Sequence, residues 1–245
     1  MVRVFAFAYG LLSYVMFLAT FLYAIGFVGN VVVPKSIDSG APAPLMEALL
    51  INVVLLGIFG LQHSVMARPA FKGWWTKMVP PPVERSTFVL FTNLALALIY
   101  WQWRPMTGVI WEVTSPLASI GLQILFWAGW LLVLLSTLII DHFDLFGMRQ
   151  VYLYATGKAY HHPEFRVSAF YKHVRHPLLL GFMIAFWSTP VMTQGHLLFA
   201  VVTTLYMLIA IQLEEKDLVG FHGQHYEEYQ RSVPMILPIG GKKGD

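Results

Sequence analysis

One short segment of the sequence collects side chains that carry charge and exchange protons. The segment Asp141–Gln150 holds two aspartates, a histidine, an arginine and a glutamine, and it directly follows a long apolar run. Such a group at the edge of a bilayer predicts a site that handles a charged ligand or transfers a proton. The alternative is a solvated helix end whose Arg149 extends to the lipid headgroups. Spacing alone leaves both interpretations open.

A second segment is basic and precedes an apolar helix. Tyr171–Pro177 contains a lysine, two histidines and Arg175, and apolar residues follow it. Proline at the first helical position presets the backbone angle of a helix start. The unpaired N–H groups and the positive dipole end of that start form an anion site, where Arg175 could hold a carboxylate or a phosphate. The alternative is a positively charged helix start that faces lipid phosphates.

A third and a fourth segment follow the last apolar run. Carboxylates beside a bilayer are costly unless they are paired or exposed, so the doublet Glu214-Glu215 could pair with Arg175. The alternative is an ordinary charged helix end. Further on, Tyr226, Tyr229 and Val233 recur at helical spacing, which predicts an amphipathic helix. That helix could lie on the membrane surface, or it could cover a ligand pocket.

The elements that must position these segments belong to a membrane protein. The 245 residues are 57% hydrophobic and 12% charged, whereas soluble domains are about 45–50% apolar and about 25% charged. The formal net charge of +3 is too small to indicate nucleic-acid binding. Because the chain has no cysteine, disulfides, thiolate metal sites and cysteine nucleophiles are excluded.

Apolar run length predicts the number of spans. A spanning helix needs about 20 largely apolar residues. Four runs meet this length: Val4–Val28, Leu45–Ala67, Ser86–Trp103 and Leu117–Ile140. The region Leu178–Ile211 is interrupted by proline and glycine, which predicts a hairpin of two short helices. We therefore expect an all-α polytopic membrane protein with five or six transmembrane helices.

The distribution of lysine and arginine predicts the topology. With a cytoplasmic N-terminus, only Lys35 and Arg104 of the 16 basic residues lie on the opposite side. The cytoplasmic basic residues are then Arg3, Arg68, Lys72, Lys77, Arg85, Arg149, Lys158, Arg166, Lys172, Arg175, Lys216, Arg231, Lys242 and Lys243. Both termini and all four polar segments are therefore expected on the cytoplasmic side. The tail 241–245 is expected to be disordered.

The last three segments together resemble the isoprenylcysteine carboxyl methyltransferase superfamily. Its pattern Arg-His-Pro-x-Tyr-x-Gly, Glu-Glu-x-x-Leu, Gly-x-x-Tyr-x-x-Tyr and Val-Pro is matched in order at Arg175–Gly181, Glu214–Leu218 and Gly223–Pro234. The departures are Leu179 in place of tyrosine and His222 in place of the usual phenylalanine. The run Phe-Asp-Leu-Phe-Gly-Met-Arg-Gln in the first segment resembles the methanethiol S-methyltransferase branch, to which nurim is also related.

The resemblance implies a cytoplasmic site for S-adenosyl-L-methionine. It divides the chain into a four-span bundle, residues 1–140, and a cofactor-binding region, residues 141–245, that contains the hairpin and a C-terminal helix. The residues implied in cofactor binding are Gln150, Tyr171, His173, Val174, Arg175, His176, Pro177, Leu180, Gly181, Glu214, Glu215, Leu218, Tyr226 and Tyr229. Arg175 is expected to hold the methionyl carboxylate, and the tyrosine helix is expected to close over the adenosine.

The same resemblance implies a small thiol as the methyl acceptor. A thiol reacts as its thiolate, so a chain without cysteine or a zinc thiolate site needs a general base or an electropositive pocket. Asp141, His142 and Asp144 are the candidate bases, Arg149 is a candidate for stabilising the thiolate, and Tyr154 is a candidate substrate contact. Methanethiol would give dimethyl sulfide, and hydrogen sulfide would give methanethiol.

Three alternatives have other chemistry. A prenylcysteine or other lipid-type carboxyl methyltransferase would use the same cofactor motifs. A histidine-ligated membrane metalloenzyme could use the pairs His173/His176 and His222/His225, whose spacing suits metal ligands on one helix face. Because Pro177 makes the first pair straddle a helix start, no metal is expected. A non-enzymatic nurim-like membrane protein would bind no methyl donor. The expected location of the protein is a bacterial inner membrane.

Overall fold

The computed structural model describes residues 1–161 and 167–238. Arg166, Lys242 and Lys243, which enter the predicted topology, and the tail 241–245, which is predicted to be disordered, lie outside the described residues. The α-helices in chain order are α1 (Val2–Gly29), α2 (Leu45–Ala67), α3 (Pro69–Trp75), α4 (Pro81–Gln102), α5 (Pro116–Ile140), α6 (His142–Leu145), α7 (Met148–Thr156), α8 (Pro177–Trp187), α9 (Gln194–His222) and α10 (Gln224–Ser232). A short 3-10 helix covers Ala169–Lys172, and strand β1 (Val109–Glu112) pairs with β2 (Val191–Thr193).

Five helices in the described part of the chain are long and apolar enough to cross a bilayer. They are α1, α2, α4, α5 and α9, with 22 to 29 residues each. The predicted all-α polytopic fold is therefore confirmed, and the chain is an integral membrane protein. The distribution of residues agrees with a lipid environment, because large apolar side chains such as Ile124 and Leu131 are exposed whereas Asn93 is buried.

The last apolar region differs from the expectation in the length of its second arm. The first arm, α8, has only 11 residues and is short as expected. The second arm, α9, has 29 residues and continues past the predicted end at Ile211 as far as His222. It continues because the polar residues 214–218 are good helix formers and the next helix-ending glycine with positive φ is Gly223.

The chain forms two compact units that interleave along the sequence. As far as their residues are described, unit 1 comprises Met1–Trp111, Asp141–His162 and Val191–Val202. Unit 2 comprises Glu112–Ile140, Pro163–Pro190 and Thr203–Asp245. The predicted division into a bundle and a cofactor-binding region at residue 140 concerns function and stays a prediction.

In unit 1, the short helix α7 packs against α1 and α4 through small residues. A Cβ at Gly10 would lie 2.5 Å from a methyl of Val151, and a Cβ at Gly147 would lie 2.7 Å from the backbone of Ser86. Gly147 also begins α7 with a φ of 85°, a conformation that favours glycine. These two glycines bring the polar segment that follows α5 close to the bundle of unit 1.

In unit 2, helix α8 packs closely on α5. A Cβ at Gly181 would lie 2.7 Å from the carbonyl oxygen of Gly129, and a Cβ at Gly129 would lie 2.7 Å from the backbone of Gly181. Small residues at such a crossing let two backbones approach and gain packing energy inside a membrane. The helix start at Pro177 is therefore held by the packing of α8 behind it.

Candidate functional site

The first candidate site lies in unit 1, and we call it the Asp144 cluster: Asp141, Asp144, Arg149, Gln150 and Tyr160. Asp141 caps α6, because its Oδ1 accepts a hydrogen bond from the backbone N–H of Asp144 at 3.1 Å. Its Oδ2 accepts a hydrogen bond from Nη1 of Arg149 at 3.0 Å. The same Nη1 lies 3.6 Å from Oδ1 of Asp144. The guanidinium of Arg149 therefore interacts with the carboxylates of both Asp141 and Asp144.

The hydroxyl of Tyr160 holds the carboxylate of Asp144. It donates a hydrogen bond to Oδ2 of Asp144 at 3.2 Å. Nε2 of Gln150 donates to the backbone carbonyl of Asp144 at 3.1 Å and to the Tyr160 hydroxyl at 3.5 Å. Within the described residues, the other carboxylate oxygen, Oδ1, is buried without a hydrogen-bond partner. Oε1 of Gln150 is a second buried acceptor without a hydrogen-bond partner in the described chain, so Oδ1 is the one unused carboxylate oxygen of the cluster.

The electrostatics of this cluster favour proton exchange by Asp144. Burial raises the pKa of the Asp144 carboxyl above its ordinary value, and the hydrogen bond from Tyr160 opposes that rise. Burial and the adjacent Asp144 carboxylate raise the pKa of Tyr160 to about 12, so its hydroxyl stays a neutral donor near neutral pH. A carboxylate with a raised pKa is a better base than an ordinary one.

His142 lies beside the cluster in an aromatic environment. Its Nε2 lies 2.8 Å from the hydroxyl of Tyr14 on α1. The rings of Phe17, Phe143 and Phe146 surround the imidazole, with centroids 4.9–6.1 Å from its own. Burial lowers the pKa of His142, so the neutral imidazole is favoured. The structure therefore places this candidate base in a packed, hydrogen-bonded position.

Tyr154, the predicted substrate contact, lies near the C-terminal end of α7, on an apolar cavity of about 330 Å³. Other residues that line the cavity come from α1 and from the start of α4, and they include Phe5, Tyr9 and Val83. The guanidinium of Arg3 lies 5.7 Å from the centroid of the Tyr154 ring. The contact of Tyr154 with a substrate stays a prediction.

The second candidate site lies in unit 2, and we call it the Arg175 clamp: Arg175, His176, Glu215, Gln230 and the backbone of Val233. Nε and Nη2 of Arg175 donate to the two carboxylate oxygens of Glu215 at 2.7 and 3.1 Å. Nη1 donates to the carbonyls of Gln230 and Val233 at 2.8 and 2.6 Å. Four of the guanidinium's five N–H donors are therefore engaged by the protein.

The remaining contacts of the clamp satisfy Glu215 and hold the chain after α10. Nε2 of His176 lies 2.9 Å from Oε1 of Glu215, and Nε2 of Gln230 donates to Oε2 at 2.9 Å. The backbone N–H groups of Arg175 and His176 donate to the carbonyls of residues 234–235 at 2.9 and 3.1 Å. The start of α8, the end of α9 and the segment after α10 are thereby tied together.

The expected pairing of Arg175 with the glutamate doublet is confirmed for Glu215. Because protein acceptors engage most of the guanidinium's donors, binding of a ligand carboxylate by Arg175 stays a prediction. Glu214 is different, because its side chain is 53% exposed and approaches His176 only to 3.7 Å. Near it, the hydroxyl of Tyr171 is buried and has no hydrogen-bond partner in the described part of the chain. Burial and the charge of Glu214 raise the pKa of Tyr171.

The predicted amphipathic helix is α10, and its apolar face is buried. Tyr226, Tyr229 and Val233 form a small core with Leu218 of α9 packed against them. The hydroxyl of Tyr229 donates to the backbone carbonyl of Tyr171 at 2.6 Å. Burial raises the pKa values of both tyrosines, that of Tyr229 to about 12, so both rings are neutral near neutral pH. Closure of this helix over a cofactor stays a prediction.

A cavity of about 680 Å³ opens beside α10. Its polar lining combines a lysine, histidines and one acid, whereas valines and one tyrosine supply the apolar part. The lining residues are Val167, Lys172, His222, His225, Glu228, Tyr229, Ser232 and Val233. A cavity of this size with groups of both charges could hold a zwitterionic ligand that carries an aromatic ring system.

The other residues predicted to bind cofactor lie at and after the 3-10 helix. His173 is exposed, Val174 and Pro177 are buried, and Leu180 is half-buried on α8. Gly181 faces Gly129, so its observed role is helix packing. No group of three or more histidines and acids that could hold a metal ion is found among residues 1–161 and 167–238.

Sequence reasoning missed three residues that complete these sites: Tyr14, Tyr160 and Gln230. Tyr14 lies in an apolar span, where one hydroxyl gives no signal of a partner 128 residues away. Tyr160 lies in a loop without a motif. Gln230 directly follows Tyr229 of the recognised pattern, so its position at the edge of that pattern was the one available signal.

Comparison with known proteins identifies relatives along nearly the whole chain. No family model matches the chain, and no solved structure matches it significantly. The methanethiol S-methyltransferase of Crocosphaera subtropica is 56% identical over 241 residues, which cover 98% of this chain and 94% of that protein. The protein of the same name from Mycobacterium tuberculosis is 55% identical over 230 residues, which cover 94% of this chain and 94% of that protein. Nurim from Rattus norvegicus is 31% identical over 76% of this chain and 74% of nurim. The resemblance drawn from the motifs is confirmed, and the chain belongs to the methanethiol S-methyltransferase family.

Proposed function

We propose that this protein transfers a methyl group from S-adenosyl-L-methionine to methanethiol and releases dimethyl sulfide. The observation that carries the proposal is the identity of 56% to a methanethiol S-methyltransferase along 98% of the chain. At that identity and coverage, both candidate sites lie within the shared sequence. Hydrogen sulfide, the smaller thiol, is the second acceptor to test.

The residues of unit 2 fit S-adenosyl-L-methionine, which supplies an activated methyl group on a sulfonium. The ligand has an ammonium, a carboxylate and ribose hydroxyls that need partners. Glu214 offers an exposed carboxylate, and Tyr171 offers a buried hydroxyl without a partner in the described chain. Lys172 and His225 add positive charge at the cavity beside α10. The Arg175 clamp would fix the backbone from which these groups project.

The residues of unit 1 serve the acceptor in this proposal. A thiol must lose its proton to become the nucleophile. Asp141, His142 and Asp144 remain the candidate bases, and Arg149 would stabilise the thiolate charge. Positioning of acceptor and donor for in-line displacement supplies much of the acceleration, since the sulfonium needs no further activation.

The proposal includes a location in the bacterial inner membrane with both termini in the cytoplasm. The loop charges support this orientation, because Lys35 and Arg104 alone of the basic residues would lie outside. Cytoplasmic placement would give the residues of unit 2 access to the soluble methyl donor. Labelling of single cysteines introduced into the otherwise cysteine-free chain tests it: a cysteine at residue 158 should be protected from membrane-impermeant reagents in intact cells, and one at residue 35 should react.

Purified protein in detergent tests the activity directly. Incubation with methyl-labelled S-adenosyl-L-methionine and methanethiol should give labelled dimethyl sulfide, whereas a prenylcysteine acceptor should give no labelled ester. The exposed variant Arg231→Ala serves as a preparation control, because its side chain is 79% exposed and pairs with Glu227 on the surface of the same helix. Labelling of the prenylcysteine alone would replace the proposal with a lipid-type carboxyl methyltransferase. Failure to bind the donor at all would favour a non-enzymatic protein like nurim.

A further inference from the structure

The three candidate bases differ in how much of their acceptor capacity the protein already uses. Both oxygens of Asp141 are engaged, one by the N–H that it caps and the other by Arg149. A carboxylate that caps a helix and holds a guanidinium has its charge stabilised in place. Protonation of Asp141 would disrupt the start of α6. It is therefore poorly suited to take a proton in every turnover.

The contacts of His142 also indicate a structural role. Its Nε2 is hydrogen-bonded to Tyr14, and four aromatic rings, including that of Tyr14, lie around the imidazole. Protonation would place a cation in this packed group, which burial opposes. The geometry therefore favours a neutral, structural imidazole.

Asp144 is the candidate in which only one of the two carboxylate oxygens accepts a hydrogen bond within the described residues. Oδ2 accepts the hydrogen bond from Tyr160, whereas Oδ1 is buried and has no hydrogen-bond partner within the described residues. Arg149 lies 3.6 Å from Oδ1, a distance for charge stabilisation rather than a hydrogen bond. An unpaired buried acceptor is costly, and each one in a native structure calls for an explanation. The S–H of a thiol would supply the missing donor.

We infer that Asp144 is the base that takes the proton of the acceptor thiol, and that Tyr160 is a positioning residue that holds its carboxylate. This inference rests on the proposed function. The hydrogen bond from Tyr160 to Oδ2 fixes the orientation of the carboxylate and leaves Oδ1 for the S–H group. Gln150 supports Tyr160 by donating to its hydroxyl. Tyr160 is outside the motifs that relate the chain to its family.

The step balances without a further reactant. Oδ1 of Asp144 accepts the S–H proton, and the electron pair of that bond stays on sulfur as the thiolate. The thiolate then forms a C–S bond with the methyl carbon of the sulfonium donor, whose own C–S bond breaks and leaves its electron pair on the donor sulfur. Asp144 passes its proton to water before the next turnover. The guanidinium of Arg149 stabilises the negative charge first on the carboxylate of Asp144 and then on the thiolate.

Charged and titratable groups from several elements face Asp144. They are Asp141 at the start of α6, Arg85 on α4, Arg149 on α7 and Tyr160 after α7. Asp141 favours the protonated form of Asp144, whereas the two arginines and the tyrosine hydrogen bond favour the carboxylate. Removal of the Tyr160 hydroxyl therefore makes the carboxylate form of Asp144 less favourable, so Asp144 becomes protonated at a higher pH than in the wild type.

The test measures kcat/KM for methanethiol against pH for the wild-type protein and for Asp144→Asn, Tyr160→Phe and Asp141→Asn. Asp144→Asn should lose about 10²–10⁴-fold at neutral pH. Its rate should recover as the pH rises toward the pKa of the free thiol, where the thiolate forms without a base. Tyr160→Phe should move the acid limb about one unit toward higher pH, the effect of losing a hydrogen bond to a charged group. Asp141→Asn should move the acid limb the opposite way, toward lower pH, because the Asp141 carboxylate favours the protonated form of Asp144.

Tyr152→Phe is the matched control, because Tyr152 is exposed on α7 and lies outside the cluster. Its profile should coincide with that of the wild type. Calorimetric binding of S-adenosyl-L-methionine should be unchanged in all variants, which separates loss of the base from loss of the donor site. Inactivity of the wild-type protein with every thiol would overturn the proposed function. An active wild type together with Asp144→Asn that keeps its neutral-pH rate, or with Tyr160→Phe that keeps its acid limb, would overturn the inference alone.

Discussion

The Asp144 cluster and the Arg175 clamp use the same kinds of side chain and differ in how completely those side chains are paired. In the clamp, both oxygens of Glu215 accept hydrogen bonds, and the described residues leave Arg175 a single N–H donor. In the cluster, Asp144 keeps one buried oxygen without a hydrogen bond inside the described chain. Saturated ionic networks fix a structure, whereas an unfilled acceptor is available for a reacting proton.

This difference in pairing indicates a structural role for the clamp and a catalytic role for the cluster, which the sequence motifs alone do not distinguish. The Arg-His-Pro and Glu-Glu motifs resemble a cofactor site, yet Arg175 and Glu215 mainly bind each other, and Arg175 also binds backbone carbonyls at the end of α10. The neighbouring Glu214 and Tyr171 hold the groups that remain open to a ligand. Substitutions in the clamp should therefore change the stability of unit 2, and substitutions in the cluster should change catalysis.

Removal of the clamp's cation should have the largest effect on stability. Arg175→Ala leaves Glu215 buried without its bidentate partner, which costs about 3–5 kcal/mol when a buried pair is broken on one side. Thermal unfolding of the protein in detergent, followed by circular dichroism, measures the loss. Arg231→Ala, whose side chain is 79% exposed, is the control and should unfold like the wild type. Equal midpoints for the two variants would contradict the structural role of the clamp.

Packing beneath the clamp should have the next largest effect. Gly181→Ala places a Cβ 2.7 Å from the carbonyl oxygen of Gly129, so α5 and α8 must separate. Overpacking of this kind costs about 1–3 kcal/mol. In Gly220→Ala on α9 the new Cβ meets no atom within 4 Å, and the better helix propensity of alanine should make this variant neutral or slightly more stable. If both variants unfold at the same temperature, close packing of α8 does not support the clamp.

Loss of one hydrogen bond beside the clamp should have a smaller effect. Tyr229→Phe keeps the buried ring and removes the 2.6 Å bond to the carbonyl of Tyr171. A bond of this kind contributes about 1 kcal/mol. Denaturation of the purified protein should show that difference, and the control Tyr152→Phe, at a residue that is exposed on α7, should show none. A larger loss of stability in Tyr152→Phe than in Tyr229→Phe would contradict the contribution assigned to the hydrogen bond between Tyr229 and Tyr171.

The cluster should give the smallest stability effect of the four. Asp144→Asn keeps an acceptor for the Tyr160 hydroxyl and removes a buried charge that has an unpaired oxygen. Its free energy of unfolding should change by less than about 1 kcal/mol, although we expect the same variant to lose activity at neutral pH. A drop as large as that of Arg175→Ala would remove the distinction between the two sites, because Asp144 would then be a structural residue as well.

Hydrophobic length alone was enough to predict most of the fold. The runs that begin at Val4, Leu45 and Leu117 correspond to α1, α2 and α5 within a few residues, because a bilayer sets the length of a spanning helix. The length of α9 was missed, since the helix leaves the apolar run without ending. Helix propensity in residues 214–218 decides that point, and a hydrophobic count ignores it.

The sites were predictable only in part. The pairing of Arg175 with Glu215 followed from the cost of unpaired charge beside a bilayer. The carbonyls of Gln230 and Val233 that complete the clamp could not be predicted, because every residue has a carbonyl and only the fold selects which ones point inward. The selection of Asp144 among three candidate bases likewise depends on which oxygen already has a hydrogen bond.

The clamp has a consequence for how the protein is made in the cell. Arg175 is synthesised 40 residues before Glu215 and 55 residues before Gln230. During that interval an unpaired cation stands at the start of α8, a helix too short to span a bilayer by itself. Cellular quality control acts on such incompletely packed chains. We therefore expect clamp variants to be scarce in the membrane rather than slow as enzymes, so their abundance should be measured before their turnover.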